Sequence, residues 1–392
     1  MSKLSRSFIS LILIIVLSIP ATLATSVLPV FGYSDSDISS AESSENDENQ
    51  HDPADGEASE EDDPPGDSTD PSSDNTDPPK TDIAKPANDF RIFIKSCGIN
   101  YNVTGKTFYL LSGRSVNMNV SATTSKPFQS IRFASRNRKV ATVTSRGKIT
   151  ALKKGSSVID VTSKGPDGQI IKKTVTIKVI DSSFRKTSRY HGPDKWKKAI
   201  ARILKRHKTI QKGRVLFIGS SSIRKWTSLK KDMKKLSVIN QGFGGSTVND
   251  SLYYADQLII PYAPKAIVFY AGTNDIAFGY SPGMVYSRTK EFFKYIHNRL
   301  PDTEIYYIAQ TRQPKRARFW NKMQKLNAKV KAYADKDPLV TYIDTTSTVS
   351  NISKSKRSQY FLRDGLHFKK KGYKVWSAKI RQVLYRELLQ SK

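Results

Sequence analysis

The sequence predicts an α/β unit, with a parallel sheet covered by helices on both faces, preceded by a small all-β sandwich. From Tyr190 onward, short apolar runs rich in Val, Ile and Tyr alternate with helical stretches, a pattern that builds a parallel sheet. Between Phe90 and Asp181, short alternating runs are separated by turn residues, as in an antiparallel sandwich. The length of 392 residues also favours two or three units.

Residues 1–32 have the layout of a signal peptide or membrane anchor. Lys3 and Arg6 precede an apolar run over 8–19, and small residues follow it. The run is too short to span a bilayer comfortably, so a cleaved signal is favoured over an uncleaved anchor. Both alternatives predict a secreted or cell-surface protein.

Residues 33–88 are predicted to form a disordered acidic linker. The stretch from Asp35 to Asp77 has 17 acidic residues and no Lys or Arg, and it lacks the apolar residues that a core requires. The net charge of the whole chain is +30, whereas residues 80–392 carry 63 basic against 18 acidic residues, about +45. Such a charge attracts polyanions, including anionic cell-wall polymers, although a solvated basic surface is an equally good interpretation. No motif for specific nucleic-acid binding is present.

The single cysteine, Cys97, excludes an intramolecular disulfide. Because no histidine motif accompanies it, we interpret Cys97 as a small hydrophobe rather than a catalytic thiol.

The sandwich is assigned to residues 89–182. Its turns are indicated by Ser-Arg-Gly at 145–147, Lys-Gly at 154–155 and Gly-Pro-Asp-Gly at 165–168. The alternating runs predict strands over 108–111, 115–120, 139–143, 148–152, 157–161 and 173–180.

The α/β unit is assigned to residues 190–392. Apolar runs predict buried strands over 215–219, 237–240, 266–271, 304–309 and 339–343. The stretches between and after them predict helices over 194–206, 247–258, 282–299, 318–334 and 370–389. In a sheet of this kind, ligands bind at the carboxyl ends of the strands.

Ser221 lies on the turn after the first of these strands, where a helix amino end stabilises a developing anion. The second strand leads into a glycine cluster that ends at Gly245, where the backbone can approach a ligand. The third leads to Asn274, whose amide is a suitable oxyanion donor. Each motif has a structural alternative: a helix cap, a tight turn and a turn former, respectively.

Asp364 and His367 follow near the carboxyl end. An aspartate three positions before a histidine can accept the imidazole Nδ1 proton and leave Nε2 to take a proton from a serine hydroxyl. Alone, this spacing is usually accidental. The order of the four motifs, each after its own strand, favours one shared site.

With these motifs, residues 190–392 resemble the SGNH/GDSL hydrolase superfamily. The likeness rests on Phe-Ile-Gly-Ser-Ser at 217–221, Gly245, Gly-Thr-Asn-Asp at 272–275, and Asp364 with His367. It implies a flavodoxin-like parallel sheet and a serine esterase in which Ser221 is the nucleophile of a triad with Asp364 and His367. It further implies that the oxyanion hole is formed by the Gly245 and Ser221 N–H groups and the Asn274 amide, with no metal or organic cofactor. Ser220 stands where many members have Asp.

The stretch 138–155, with the core Val-Ala-Thr-Val at 140–143 and Ile-Thr-Ala-Leu-Lys-Lys-Gly at 149–155, resembles the bacterial Ig-like group 2 domain (BIG2). This likeness implies an adhesive or spacing module.

The combined expectation is an exported esterase acting on O-acyl groups of a surface glycan or wall polymer. A lipid or lysophospholipid ester and a non-catalytic adhesin remain alternatives. The basic loop 311–318, after the fourth strand, is expected to border the site or to be a solvated loop.

Overall fold

The computed structural model describes residues 89–123, 127–181, 190, 192–350 and 352–390. The expected signal or anchor over 1–32 lies outside these residues, as does the expected acidic linker over 33–88. Within the described ranges, no helix combines the length and apolarity needed to cross a bilayer.

The predicted sandwich is confirmed as two packed sheets, with strand orders β2-β1-β4-β7-β6 and β3-β9-β8-β5. All pairings within them are antiparallel except β3 with β9, which is parallel. The strands are β1 (Phe90–Ser96), β2 (Ile99–Asn102), β3 (Thr107–Leu111), β4 (Ser115–Ala122), β5 (Ser130–Ser135), β6 (Ala141–Val143), β7 (Lys148–Ala151), β8 (Gly155–Lys164) and β9 (Ile170–Ile180).

Alternating burial explains these strands. In β8, every second residue from Ser157 to Ser163 faces the core, and β9 alternates in the same way where the two pair. The sequence prediction missed β1, β2 and β5. The omission of β1 was avoidable, because Phe90, Ile92 and Ile94 are buried at alternate positions.

The α/β unit has one five-stranded parallel sheet of order β11-β10-β12-β13-β14, confirming the predicted architecture. In chain order this is 2-1-3-4-5, the flavodoxin-like order. Its strands are β10 (Val215–Gly219), β11 (Val238–Asn240), β12 (Ala266–Tyr270), β13 (Glu304–Ile308) and β14 (Val340–Ile343).

Helices cover both faces because side chains of each strand alternate between two apolar clusters. Leu216 and Ile218 pack with the side of the sheet that carries α1, α7 and α8, whereas Val215 and Phe217 pack with α11. The helices are α1 (Lys197–Arg206), α2 (Ser221–Arg224), α3 (Leu229–Asp232), α4 (Val248–Tyr253), α5 (Ala255–Leu258), α6 (Thr273–Ala277), α7 (Pro282–Arg299), α8 (Trp320–Ala334), α9 (Ser347–Ser350), α10 (Arg357–Tyr360) and α11 (Lys370–Gln390). Short 3₁₀ helices occupy Pro193–Trp196, Ile260–Tyr262, Pro314–Phe319 and Lys354–Lys356.

The sandwich contacts the α/β unit at the end of α7. Asn298 Oδ1 accepts a hydrogen bond from the Tyr109 N–H at 3.0 Å, and Asn298 Nδ2 donates to the Thr107 carbonyl at 2.7 Å. The guanidinium of Arg299, whose side chain is fully buried, donates to the Tyr109 carbonyl at 2.8 Å and lies 4.7 Å from the centre of the Phe108 ring.

The contact between the two units also has an apolar part. Leu111 and Ile180 of the sandwich are buried in the same apolar cluster as Phe292 and Ile296 of α7. The sandwich therefore contacts α7 through both hydrogen bonds and apolar side chains.

Candidate active site

Ser221 begins α2 immediately after β10. Gly219 makes the sharp turn possible: its φ is 140°, and a Cβ there would lie 2.0 Å from the Tyr270 carbonyl oxygen on the neighbouring strand. The turn therefore presents the Ser221 hydroxyl at the carboxyl edge of the sheet. This edge lies between β10 and β12, where the strand order reverses and crevices form in such sheets.

His367, which lies 146 residues after Ser221 in the chain, contacts the Ser221 hydroxyl. Its Nε2 lies 2.8 Å from Ser221 Oγ, and its Nδ1 lies 2.6 Å from Asp364 Oδ2. The other oxygen of Asp364 accepts the backbone N–H groups of Leu366 and His367 at 2.9 and 3.0 Å. The structure thus brings together the three residues that the sequence grouped, with the imidazole between the carboxylate and the hydroxyl.

The turn that carries Asp364 and His367 is anchored on the core. Phe361 and Phe368 form a β-bridge across it, their buried rings contact each other, and the Phe368 ring also contacts Trp376 of α11. Tyr373 of α11 donates a hydrogen bond to the Ser222 carbonyl at 2.8 Å. The histidine turn and the nucleophile turn are therefore held by the same helix, which fixes the distance between them.

Three potential hydrogen-bond donors belong to residues that line the cavity: Ser221, Gly245 and Asn274. The N–H groups of Ser221 and Gly245 donate to no acceptor among the described residues, so both are available to a ligand. Asn274 Nδ2 uses one hydrogen on the Ser246 carbonyl at 2.9 Å and has a second to offer. Gly245 has a φ of 77°, a conformation that glycine adopts without strain.

Buried carboxylates position this donor loop. Asp275 accepts the N–H of Val248 at 3.1 Å and so connects the turn after β12 to the start of α4. Burial raises the pKa of Asp275 to about 7, and the Val248 hydrogen bond opposes that rise. Asp250 forms a capping box with Thr247 and accepts the hydroxyl of Tyr190 at 2.6 Å. The sequence analysis did not identify either carboxylate as a support for the site.

The pKa of Asp364 is lowered to about 2. Partial burial raises it, but the hydrogen bonds from the His367 ring and from the N–H groups of His367 and Leu366 outweigh that effect. The carboxylate therefore stays charged at neutral pH. Its contribution to stability is present above the usual aspartate pKa of about 3.9 and is lost as the pH falls toward 2.

The cavity above the triad has a volume of about 680 Å³ and is strongly cationic. Arg316, from the basic loop 311–318, lines it and donates to Asn274 Oδ1 at 3.2 Å. The loop therefore borders the site, as one of the two sequence interpretations expected. Four further cations that the sequence analysis did not single out also line the cavity: Arg202, Arg206, Arg224 and Lys225.

Cys97 does not contribute to the cavity. Burial raises the pKa of its thiol to about 11, which agrees with its interpretation as a small hydrophobe.

Two family models match the chain. The GDSL-like lipase/acylhydrolase family matches residues 218–375, a range that includes Ser221, Gly245, Asn274, Asp364 and His367. The bacterial Ig-like domain (group 2) matches residues 100–181. No curated protein matches the sequence. The chain therefore carries an acylhydrolase domain preceded by an Ig-like domain.

Solved structures to which the chain is similar include a GDSL-like lipase from Bacteroides thetaiotaomicron, at 22% identity and a TM-score of 0.39, covering 50% of this chain and 98% of that one. The lipase/acylhydrolase from Enterococcus faecalis has 15% identity and a TM-score of 0.38, covering 44% and 96%. The Clostridium thermocellum family 3 carbohydrate esterase has 14% identity and a TM-score of 0.38, covering 46% and 98%.

Proposed function

We propose that this chain, which carries a GDSL-like lipase/acylhydrolase domain behind a bacterial Ig-like domain, is an exported serine esterase that removes O-acyl groups from a surface glycan or wall polymer. The observation that carries the proposal is the hydrogen-bonded series Asp364–His367–Ser221 beside two available backbone N–H groups. This arrangement fits acyl transfer to water through an acyl-enzyme.

In the first step, Ser221 Oγ attacks the ester carbonyl carbon and its proton passes to His367 Nε2. The tetrahedral oxyanion accepts hydrogen bonds from the N–H groups of Ser221 and Gly245 and from Asn274 Nδ2. The C–O bond to the alcohol breaks, and the leaving oxygen takes the proton from His367. Water then attacks the acyl-Ser221 ester with His367 again as the base, releasing the acid.

Asp364 acts on the His367 imidazole and not directly on the substrate. Its carboxylate accepts the Nδ1 proton, which fixes the tautomer in which Nε2 is the base. It also stabilises the imidazolium that forms after proton transfer. The lowered pKa of Asp364 keeps this charge in place at neutral pH.

A hydrophilic O-acylated substrate suits the cleft better than a lipid does. Five cationic side chains line the cavity beside its apolar residues, and they favour a charged or strongly polar substrate. The large exposed hydrophobic side chains of the described residues are Leu152, Ile170, Ile210, Met284, Leu362 and Leu389, and they are spread over separate elements. A surface that binds a bilayer usually presents several such residues on one helix face, whereas each element here carries at most one of them.

The purified chain should hydrolyse p-nitrophenyl acetate and release acetate from an acetylated polysaccharide, with rates falling from acetate to octanoate esters. The physical reason is the positive charge of the side chains that line the cleft around Ser221, which disfavours a long apolar acyl chain. Initial rates on the ester series, with lysophosphatidylcholine as a lipid substrate, are the measurement. Faster hydrolysis of octanoate or of the lysolipid would favour a lipase, and no hydrolysis of any ester would favour the non-catalytic adhesin.

Catalysis and attachment should be separable. The cavity lining begins at Trp196, so no described residue of the sandwich contributes to it. We therefore expect a fragment of residues 183–392 to hydrolyse p-nitrophenyl acetate about as fast as the mature chain. Its melting temperature should be lower, because Arg299 and the apolar cluster on α7 lose their partners in the sandwich. The fragment should also bind isolated cell walls less at high salt, where nonspecific attraction is screened.

Loss of activity in the folded fragment would make the sandwich part of the catalytic unit. Unchanged wall binding at high salt would remove its adhesive role. A fragment of the sandwich alone, residues 89–182, provides the matched binding control.

A further inference from the structure

A second cavity, of about 720 Å³, adjoins the one above the triad. The two share Arg206, at the end of α1, and Arg224, at the end of α2. The second cavity continues past these two side chains along the edge strand β11, where Val238, Ile239 and Asn240 line it. Each cavity alone is large enough for a drug-sized ligand, so a ligand that occupies both is an extended one.

The second cavity is lined by cations and by no carboxylate. None of these cations forms an ion pair with an acidic residue of the described ranges, although basic residues elsewhere do, such as Arg136 with Asp160 and Arg386 with Glu387. The cations of the second cavity are Lys205, Arg206, Lys208, Arg214, Arg224 and Lys230.

His207, which also lines this cavity, responds to the local charge. Burial lowers the pKa of its imidazole, and the positive charges of Arg206, Arg214 and Lys230 lower it further. The positive potential that disfavours protonation of His207 also favours the binding of an anion in this cavity.

We propose that the second cavity binds the anionic groups of an O-acylated polyanionic polymer, whose next acylated unit lies over Ser221. This inference rests on the proposed function and specifies its substrate class. Repeating phosphate or carboxylate groups of the polymer would bind Lys205, Lys208 and Lys230 in the second cavity. Arg206 and Arg224 would bind the polymer between the two cavities. A polymer fits better than a phospholipid surface, since Ile210 is the only large exposed hydrophobic residue on the segment between α1 and β10 among the described residues.

Three polymers with one backbone and equal degrees of O-acetylation test the proposal: acetylated dextran, acetylated carboxymethyl-dextran and acetylated dextran phosphate. Acetate release gives kcat/KM for each at low and at high salt. We expect the wild-type chain to prefer at least one charged polymer to the neutral one by on the order of tenfold at low salt, and less at high salt. The two charged derivatives distinguish carboxylate from phosphate recognition.

The variant Lys205→Gln/Lys208→Gln/Lys230→Gln should lose most of this preference and keep its rates on acetylated dextran and p-nitrophenyl acetate. None of these three residues lines the cavity above the triad. The matched control is Lys322→Gln/Lys325→Gln/Lys329→Gln, which removes three exposed lysines from α8. Helix α8 packs against β14, at the other edge of the sheet, so this control should keep the preference.

Equal rates on charged and neutral polymers, or equal losses in the two triple variants, would overturn the inference and leave the esterase proposal intact. Vesicles of phosphatidylglycerol with lysophosphatidylglycerol provide the lipid arm. Hydrolysis of the lysolipid that exceeds hydrolysis of every polymer and depends on the same three lysines would also overturn it. Failure on all polymers and on p-nitrophenyl acetate would contradict the proposed function itself.

Discussion

Replacing Ser221 with alanine should lower the rate of p-nitrophenyl acetate hydrolysis by about 10⁴-fold or more, because no acyl-enzyme can form without its Oγ. The backbone N–H groups at positions 221 and 245 remain as donors. We therefore expect only a small residual rate above that of uncatalysed hydrolysis in water. The fold should persist, since the alanine N–H and backbone continue α2 as before. Steady-state rates and the thermal midpoint of the purified variant measure both effects.

Ser222→Ala is the matched control. Ser222 is the next residue on the same turn, it is 5% exposed, and its carbonyl, which survives the substitution, accepts the Tyr373 hydroxyl. We expect this variant to stay within a few-fold of the parent rate. Esterase activity of Ser221→Ala within a few-fold of the parent would falsify the nucleophile assignment.

Removing Asp364 and His367 together should cost little more than removing His367 alone. His367→Ala deletes the base that contacts Ser221 Oγ, and a loss of about 10⁴-fold or more is expected. Asp364→Ala should cost on the order of 10³-fold, because its carboxylate acts only through the imidazole. Once His367 is replaced, the aspartate has no imidazole to orient. Adding Asp364→Ala to His367→Ala should therefore lower kcat/KM by no more than about threefold.

A double-mutant cycle in kcat/KM for p-nitrophenyl acetate measures this coupling. Asp335→Ala is the control. Among the described residues this exposed carboxylate pairs with Lys331 on α8, so we expect no measurable coupling between Asp335 and His367. Losses that multiply in Asp364→Ala/His367→Ala would mean that the two residues act separately.

Local sequence patterns were sufficient to predict the sheet of the α/β unit. The strand over 215–219 and the helix over 282–299 have the predicted bounds, because five consecutive buried apolar residues and a capped helical stretch are signals within a short window. The short helices α2, α3, α6, α9 and α10 were missed. Each has four or five residues, too few for the helical period to appear in the sequence.

The sequence by itself determined the residue types and the order of the site motifs: a serine, a glycine, an asparagine and an Asp–His pair, each placed after a strand of a parallel sheet. In such a sheet the carboxyl ends meet at one edge, so order along the chain implies proximity in space. Only the tertiary structure decided that Asp275 supports the donor loop and that Arg299 joins the sandwich to α7. It alone also brought Arg206 and Arg224 together between two cavities. These contacts join residues far apart in the chain whose types, taken singly, are those of an ordinary buried carboxylate or a solvated basic surface.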